Sequence, residues 1–201
     1  MMMSFATMAV VPVVYLLWGW SASYARDDIA GIVGNPLQAF GLRDQIADSS
    51  GNFVAGANGY PNVLDIGFQV TFAIISVAII SGTLAGRVKF SAWLAFVVGW
   101  VSLAYPPVAH MVWNGGLLSH AEHSIAAWLF GATHGEATIA PVDSAGGIVV
   151  HISAGAAALV LAVLVGPRKG FPSKVDKTHN LRFRAGDAVA GPAPGGRVRR
   201  P

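Results

Sequence analysis

The sequence predicts an all-α membrane protein with four transmembrane helices, and three observations carry that expectation. Hydrophobic residues make up 54% of the 201 positions and charged residues only 11%, under half of the roughly 25% usual in a soluble globular domain. Four segments, about 1–23, 63–86, 90–113 and 143–166, each come close to the ~20 apolar residues needed to cross a bilayer core. The basic residues are also unevenly placed, since nine of the thirteen Lys and Arg follow residue 167. No basic stripe interleaves with aromatics, so the net charge of +3 does not point to a nucleic-acid partner. It reads instead as a membrane-orientation signal. The chain contains no cysteine, which excludes disulfides and thiolate metal sites.

The first segment, "MMMSFATMAVVPVVYLLWGWSAS", lacks the basic n-region of a cleavable signal peptide and is assigned as a span. A polar loop, about 24–62, follows, with Asp27, Asp28, Asp44 and Asp48 set against Arg26 and Arg43. The second span, "VLDIGFQVTFAIISVAIISGTLAG", meets the third through the tight connection "RVKF". Pro106-Pro107 should kink the third span, which membrane helices tolerate where neighbours re-satisfy the freed backbone groups. The connection to the fourth span has no Lys or Arg, whereas "RVKF" holds Arg87 and Lys89, and Arg168, Lys169, Lys174 and Lys177 follow the fourth span. The positive-inside rule places both basic segments, and therefore both chain ends, in the cytoplasm. Residues 1–180 thus form a membrane domain. The remaining stretch, 181–201, is rich in Arg, Gly, Ala and Pro and is expected to be a disordered basic tail, solvated or resting on anionic lipid.

Polar groups inside spans are costly and mark candidate functional positions. In "DSAGGIVVHISAG", Asp143, Gly147, His151 and Gly155 recur at i+4 steps, which on an α-helix forms one ridge. The two glycines would let another helix approach the His151 imidazole. His151 is either a pore-facing group or a buried histidine bonded to a neighbouring helix. Asp143 suits an N-cap. Phe68 and Phe72 are i,i+4 neighbours, fit for core packing or for a constriction with cation–π character. Trp113, beside His110 at the outer end of the third span, is an interfacial anchor or a ring that receives a cation. The outer loop's "HAEH", together with His134 and Glu136, offers weak metal donors without an HExxH spacing, so no metal site is expected.

Two long stretches, "GFQVTFAIISVAIISGTLAGRVKFSAWLAFVVGWVSLAYPPVAHMVWNGG" and "DSAGGIVVHISAGAAALVLAVLVGPRKG", followed by "THN", resemble the ammonium transporter family, which includes methylammonium permeases and Rh proteins. The resemblance runs from residue 1 to about Asn180. It implies an eleven-helix fold of two inverted repeats, of which the four spans match the second to fifth helices, within the first repeat. It also implies a homotrimer in the lipid bilayer, an ammonium or ammonia substrate, no cofactor and no enzymatic reaction. On the family pattern Phe68 and Trp113 match vestibule aromatics and Phe72 one ring of a two-phenylalanine gate. Asp143 matches an acidic position that stabilises recruitment, and His151 the first of twin pore histidines. Ammonium would be drawn to the rings, lose a proton and cross as ammonia, because a full charge in a dry pore costs many kcal/mol.

After "HN" the stretch "LRFRAGDAVAGPAPGGRVRRP" departs from the family, and its composition fits a high-GC gene read out of frame. The expectation is a fragment that does not conduct by itself. Two further readings remain open: a redox subunit with His110 or His151 as haem ligands, and a non-conducting chain that assembles with full-length transporter subunits.

Overall fold

The computed structural model describes residues 2–56 and 59–168, so the tail at 181–201 lies outside the described residues. Four helices are long and apolar enough to span a membrane: α1 (Met2–Tyr24), α2 (Asn62–Leu84), α3 (Phe90–Trp113) and α5 (Ser144–Val165). Each expected span is present, with ends within two residues of the sequence boundaries. One short helix that periodicity does not reveal, α4 (Ile125–Phe130), lies in the connection before α5. Two small antiparallel hairpins decorate the connections, β1 (Asp28–Ile29) with β2 (Val33–Gly34), and β3 (Ala132–Thr133) with β4 (Glu136–Ala137).

The spanning helices are not uniformly α-helical. Wide π turns interrupt α1 at Tyr15–Gly19, α3 at Trp100–Ala104 and α5 at Gly147–Ile152. The first follows Pro12 and the second immediately precedes Pro106-Pro107. A proline lacks an N–H and crowds the carbonyl four residues earlier; for Pro106 and Pro107 those carbonyls belong to Ser102 and Leu103, inside the second π turn, which absorbs the mismatch. The proline pair is accommodated in this way, and α3 continues to Trp113.

In a bilayer, helices gain little from hydrophobic burial against one another, so packing and inter-helix hydrogen bonds set their arrangement. Three indoles supply such bonds. Trp18 donates to Ser102 Oγ at 2.9 Å, Trp93 to the Met3 carbonyl at 3.1 Å and Trp100 to Ser76 Oγ at 3.2 Å. They tie α1 to α3 twice and α2 to α3 once, each bond contributing on the order of 0.6 kcal/mol. α2 also packs against α5. The interior is lined by Val11, Tyr15, Ala73, Val77, Ile80, Trp93, Val97, Val101, Tyr105 and Val149, all buried.

The 24–62 loop is fastened to the C-terminal end of α1. Ser21 Oγ donates to the Asn35 carbonyl at 2.6 Å and accepts from the Ala39 N–H at 2.9 Å. At the opposite end of the bundle, the Arg87 guanidinium donates to the Gly166 carbonyl at 3.1 Å. It thereby satisfies a carbonyl left free where α5 stops.

Candidate functional site

The start of α2, the end of α3 and the start of α5 meet in an aromatic corner. Phe68 and Phe72 lie one turn apart on α2, and their rings meet edge to face at 4.9 Å between centroids. Phe72 meets Trp113 of α3 in the same way at 5.5 Å. Phe72 and Trp113 are half-buried, whereas Phe68 is 60% exposed. Phe72 and Trp113 pack against the buried core, whereas Phe68 lies outside it. Three rings form a continuous strip that runs from an exposed edge inward, with faces able to attract a cation. Gln69, between the two phenylalanines in sequence, has a buried Oε1 with no hydrogen-bond partner.

The start of α5 closes this corner. Gly146 adopts a left-handed backbone, φ +75°, and a Cβ there would sit 2.8 Å from Val150 Cγ2 and 3.2 Å from Phe72 Cδ1. Glycine is what lets the chain turn so tightly against the phenylalanine. Asp143 secures the turn: Oδ1 accepts from the Ile148 N–H at 2.6 Å and Oδ2 from the Val149 N–H at 3.4 Å. A carboxylate on the free N–H groups of a helix start is favoured by charge and by the helix dipole. Asp143 is thus a cap, as its position suggests.

The ridge expected for Asp143, Gly147, His151 and Gly155 requires correction. The i+4 argument assumes α geometry, but a 3-10 turn (Ser144–Gly146) and the π turn Gly147–Ile152 occupy that stretch. Asp143 precedes the helix and folds back over it, so it does not share a ridge with His151. Nor does a described helix press on the glycines. A Cβ at Gly155 would meet nothing within 4 Å, and one at Gly147 would meet only Asp143 Oδ1, at 3.3 Å. His151 is exposed on the surface of the four-helix bundle. The structure brings Phe68, Phe72, Trp113 and Asp143 into one corner and leaves His151 on an uncovered face.

His110, one turn before Trp113, has a different role from the one its interfacial position suggests. It is 1% exposed. The Ser23 carbonyl accepts from Nδ1 at 3.0 Å, and Nε2 stands 3.7 Å from Asp28 Oδ2. The neighbouring Asn114 donates to the Ala25 carbonyl at 3.1 Å. These contacts bind the end of α3 to the end of α1 and to the β1–β2 hairpin, and so hold the element that carries Trp113. Nε2 has no hydrogen-bond partner, and a ring only 1% exposed offers haem no approach. The signal for this tether was legible only as "HMVWN" beside an acidic loop, because the partner oxygens lie 82 and 87 residues away in sequence.

Gly116 explains how the chain turns away after α3. A Cβ there would collide with the Gly31 carbonyl and lie 2.6 Å from Met111 Cα, so hairpin and helix end can touch only over a glycine. A cavity of about 640 Å³ opens nearby, lined in part by Trp20, Tyr24, Arg43, Asp65, Gln69 and Asn114. Its walls come mainly from the 24–62 loop, and it lies beside the aromatic strip rather than along it. Among the described residues, no three His, Asp or Glu side chains converge as a metal site.

Comparison with known proteins gives the family and the fold. The sequence pattern of the Ammonium Transporter Family matches residues 1–185. The ammonium transporter of Mycobacterium bovis is 41% identical over 192 residues, covering 90% of this chain and 38% of the relative. That of Aquifex aeolicus is 44% identical over 170 residues, covering 83% of this chain and 34% of the relative. The crystal structure of Saccharomyces cerevisiae Mep2 superimposes with a TM-score of 0.62 at 25% identity, over 84% of this chain and 33% of that one. The chain therefore spans little more than a third of the length of these relatives. Four apolar helices in a multi-pass arrangement, the matched pattern and the matched fold agree: the chain belongs to the ammonium transporter family.

Proposed function

We propose that the chain carries the outer recruitment end of an ammonium transport path. The observation that supports this most directly is the ring strip Phe68–Phe72–Trp113, at 4.9 and 5.5 Å, closed by the Asp143-capped start of α5. Ammonium is a small cation, and aromatic faces attract such ions by about 0.5–2 kcal/mol, more as water is removed. Phe68 and Trp113 would receive the ion, and Phe72 would stand below them as one ring of a gate. Asp143 would hold the corner through its backbone bonds. Beyond the rings the ion would give up a proton, and ammonia would pass a path lined by His151, whose imidazole can donate or accept a hydrogen bond. Potassium has no proton to lose and would be refused.

The same reading makes conduction depend on a covered His151 face. An imidazole exposed toward lipid is costly, and a pore wall needs an opposite side. We propose that the 201-residue chain by itself binds ammonium at the corner but does not conduct it, that conduction requires a further protein surface opposite His151 within a trimer, and that both ends of this chain face the cytoplasm. Methylammonium titrated against the chain in vesicles should change tryptophan fluorescence, and Trp113→Phe should remove that change. No response in the unsubstituted chain would sink the recruitment reading. Rapid, saturable uptake by vesicles holding only this chain would overturn the non-conducting part.

A further inference from the structure

The connection between α3 and α5 contains a feature that the transport reading does not use. Ser124 caps α4, its Oγ accepting from the Ala127 N–H at 3.2 Å. The Ile125 N–H donates to the Leu117 carbonyl at 2.9 Å, and the Leu118 N–H donates to the Met111 carbonyl, also at 2.9 Å, in the last turns of α3. The Ala137 N–H donates to the His120 carbonyl at 2.8 Å. This short chain of bonds holds α4 beside the Trp113 end of the spanning helix α3.

Helical spacing places Ile125, Trp128 and Leu129 on one side of α4, while Ala127 turns inward and is buried. The outward side chains form an apolar patch. Trp128 is 82% exposed, its neighbours Leu129 and Phe130 are both exposed, and Val142, just before α5, is 85% exposed. A patch of this kind outside the spans calls for a cover.

We infer that α4 is an interfacial anchor, with its Ile125/Trp128/Leu129 face and Phe130 seated in the headgroup–acyl boundary of the outer leaflet. Three observations commit the patch to lipid. It adjoins a spanning segment in sequence: Val142, itself 85% exposed, leads directly into α5. It offers tryptophan and phenylalanine at interfacial depth, where amphipathic rings are favoured. And residues 114–142 contain no Lys or Arg, while Glu122 and Glu136 lie outside α4, so nothing on the helix opposes insertion by charge. Six residues would not hold a free peptide on a bilayer. Here, spanning helices at both ends of the connection keep α4 at the surface, which supplies the high effective concentration that tethering provides.

The absence of cysteine permits a direct test with single-cysteine variants carrying a nitroxide, in phosphatidylcholine vesicles. Preparations are those in which a label at Leu103→Cys, in the middle of α3 and 79% exposed, reads the hydrocarbon interior, and Glu122→Cys serves as the aqueous reference. The ratio of oxygen to nickel-chelate collisions at Trp128→Cys and Leu129→Cys is expected to exceed that at Glu122 several-fold. A second variant, Trp128→Asp combined with Leu129→Cys, should bring the ratio at 129 down toward the aqueous value. Ratios at 128 and 129 equal to that at Glu122 would overturn the anchor. So would low collision rates for both reagents, which would mean that protein rather than lipid covers the patch, or an unchanged ratio at 129 in the Trp128→Asp variant.

Discussion

The aromatic corner and the His151 face lie on the same bundle, yet one is largely assembled and the other is open. In the corner the rings and the carboxylate have neighbours, Phe68 on Phe72, Phe72 on Trp113 and on Gly146, Asp143 on two backbone N–H groups, and the buried Gln69 Oε1 alone among these groups lacks a hydrogen-bond partner. On the His151 face the imidazole is exposed, and Gly155, one turn on, meets nothing. On the proposed reading, the difference means that recruitment and passage would be separable in structure. Rings and a capped helix start can be built by three adjacent spans, whereas a pore wall needs surfaces from opposite sides of a cavity.

Substitutions should expose that contrast. Asp143→Ala leaves the Ile148 and Val149 N–H groups without their acceptor, and should lower stability by about 2–3 kcal/mol, measured by thermal unfolding in detergent. Asp143→Asn, which keeps an acceptor but not its charge, should lose less. Equal losses would mean that the charge contributes nothing to the cap. Trp113→Ala removes one ring face, and should weaken methylammonium binding roughly five-fold, or about 1 kcal/mol. An unchanged affinity would remove Trp113 from the corner's function. His151→Ala should shift stability by no more than about 0.5 kcal/mol in either direction, because the imidazole has no described neighbour to lose. A loss comparable to that of Asp143→Ala would show that the face is covered and would erase the comparison.

The smallest effect belongs to a site far from both regions. The Asn52 N–H, with those of Ser50 and Gly51, holds the Asp48 carboxyl below its ordinary value. A lowered folded pKa means that the contribution is fully present above the usual aspartate range, about 3.9, and is lost as pH falls through the folded value. Asp48→Asn should remove that acid-side slope, read as a flatter pH dependence of loop protection from protease. An unchanged slope would assign it to other carboxylates. The corner and the His151 face should be unaffected, since Asp48 is fully exposed in the 24–62 loop.

Much of this protein could be read in one dimension. The length and apolarity of four segments specify four spans because a bilayer demands about twenty apolar residues and full backbone hydrogen bonding. The i,i+4 spacing of Phe68 and Phe72 places them together because helix geometry is local. Asp143 reads as a cap because free N–H groups sit at helix starts. What the sequence could not settle depends on contacts between distant segments. The π turns change the phase of a helix, so the ridge through His151 could not be extrapolated from period alone. Trp113 reaches Phe72, and His110 reaches Ser23 and Asp28, only once α1, α2 and α3 are packed. The amphipathic α4 is too short for its period to register, and its outward face is defined only when Ala127 finds the protein side. Local spacing and solvent preference were determined by the sequence itself. Which side chains meet, and which face is left uncovered, was decided by the tertiary structure, because those outcomes depend on the relative rotation of whole helices.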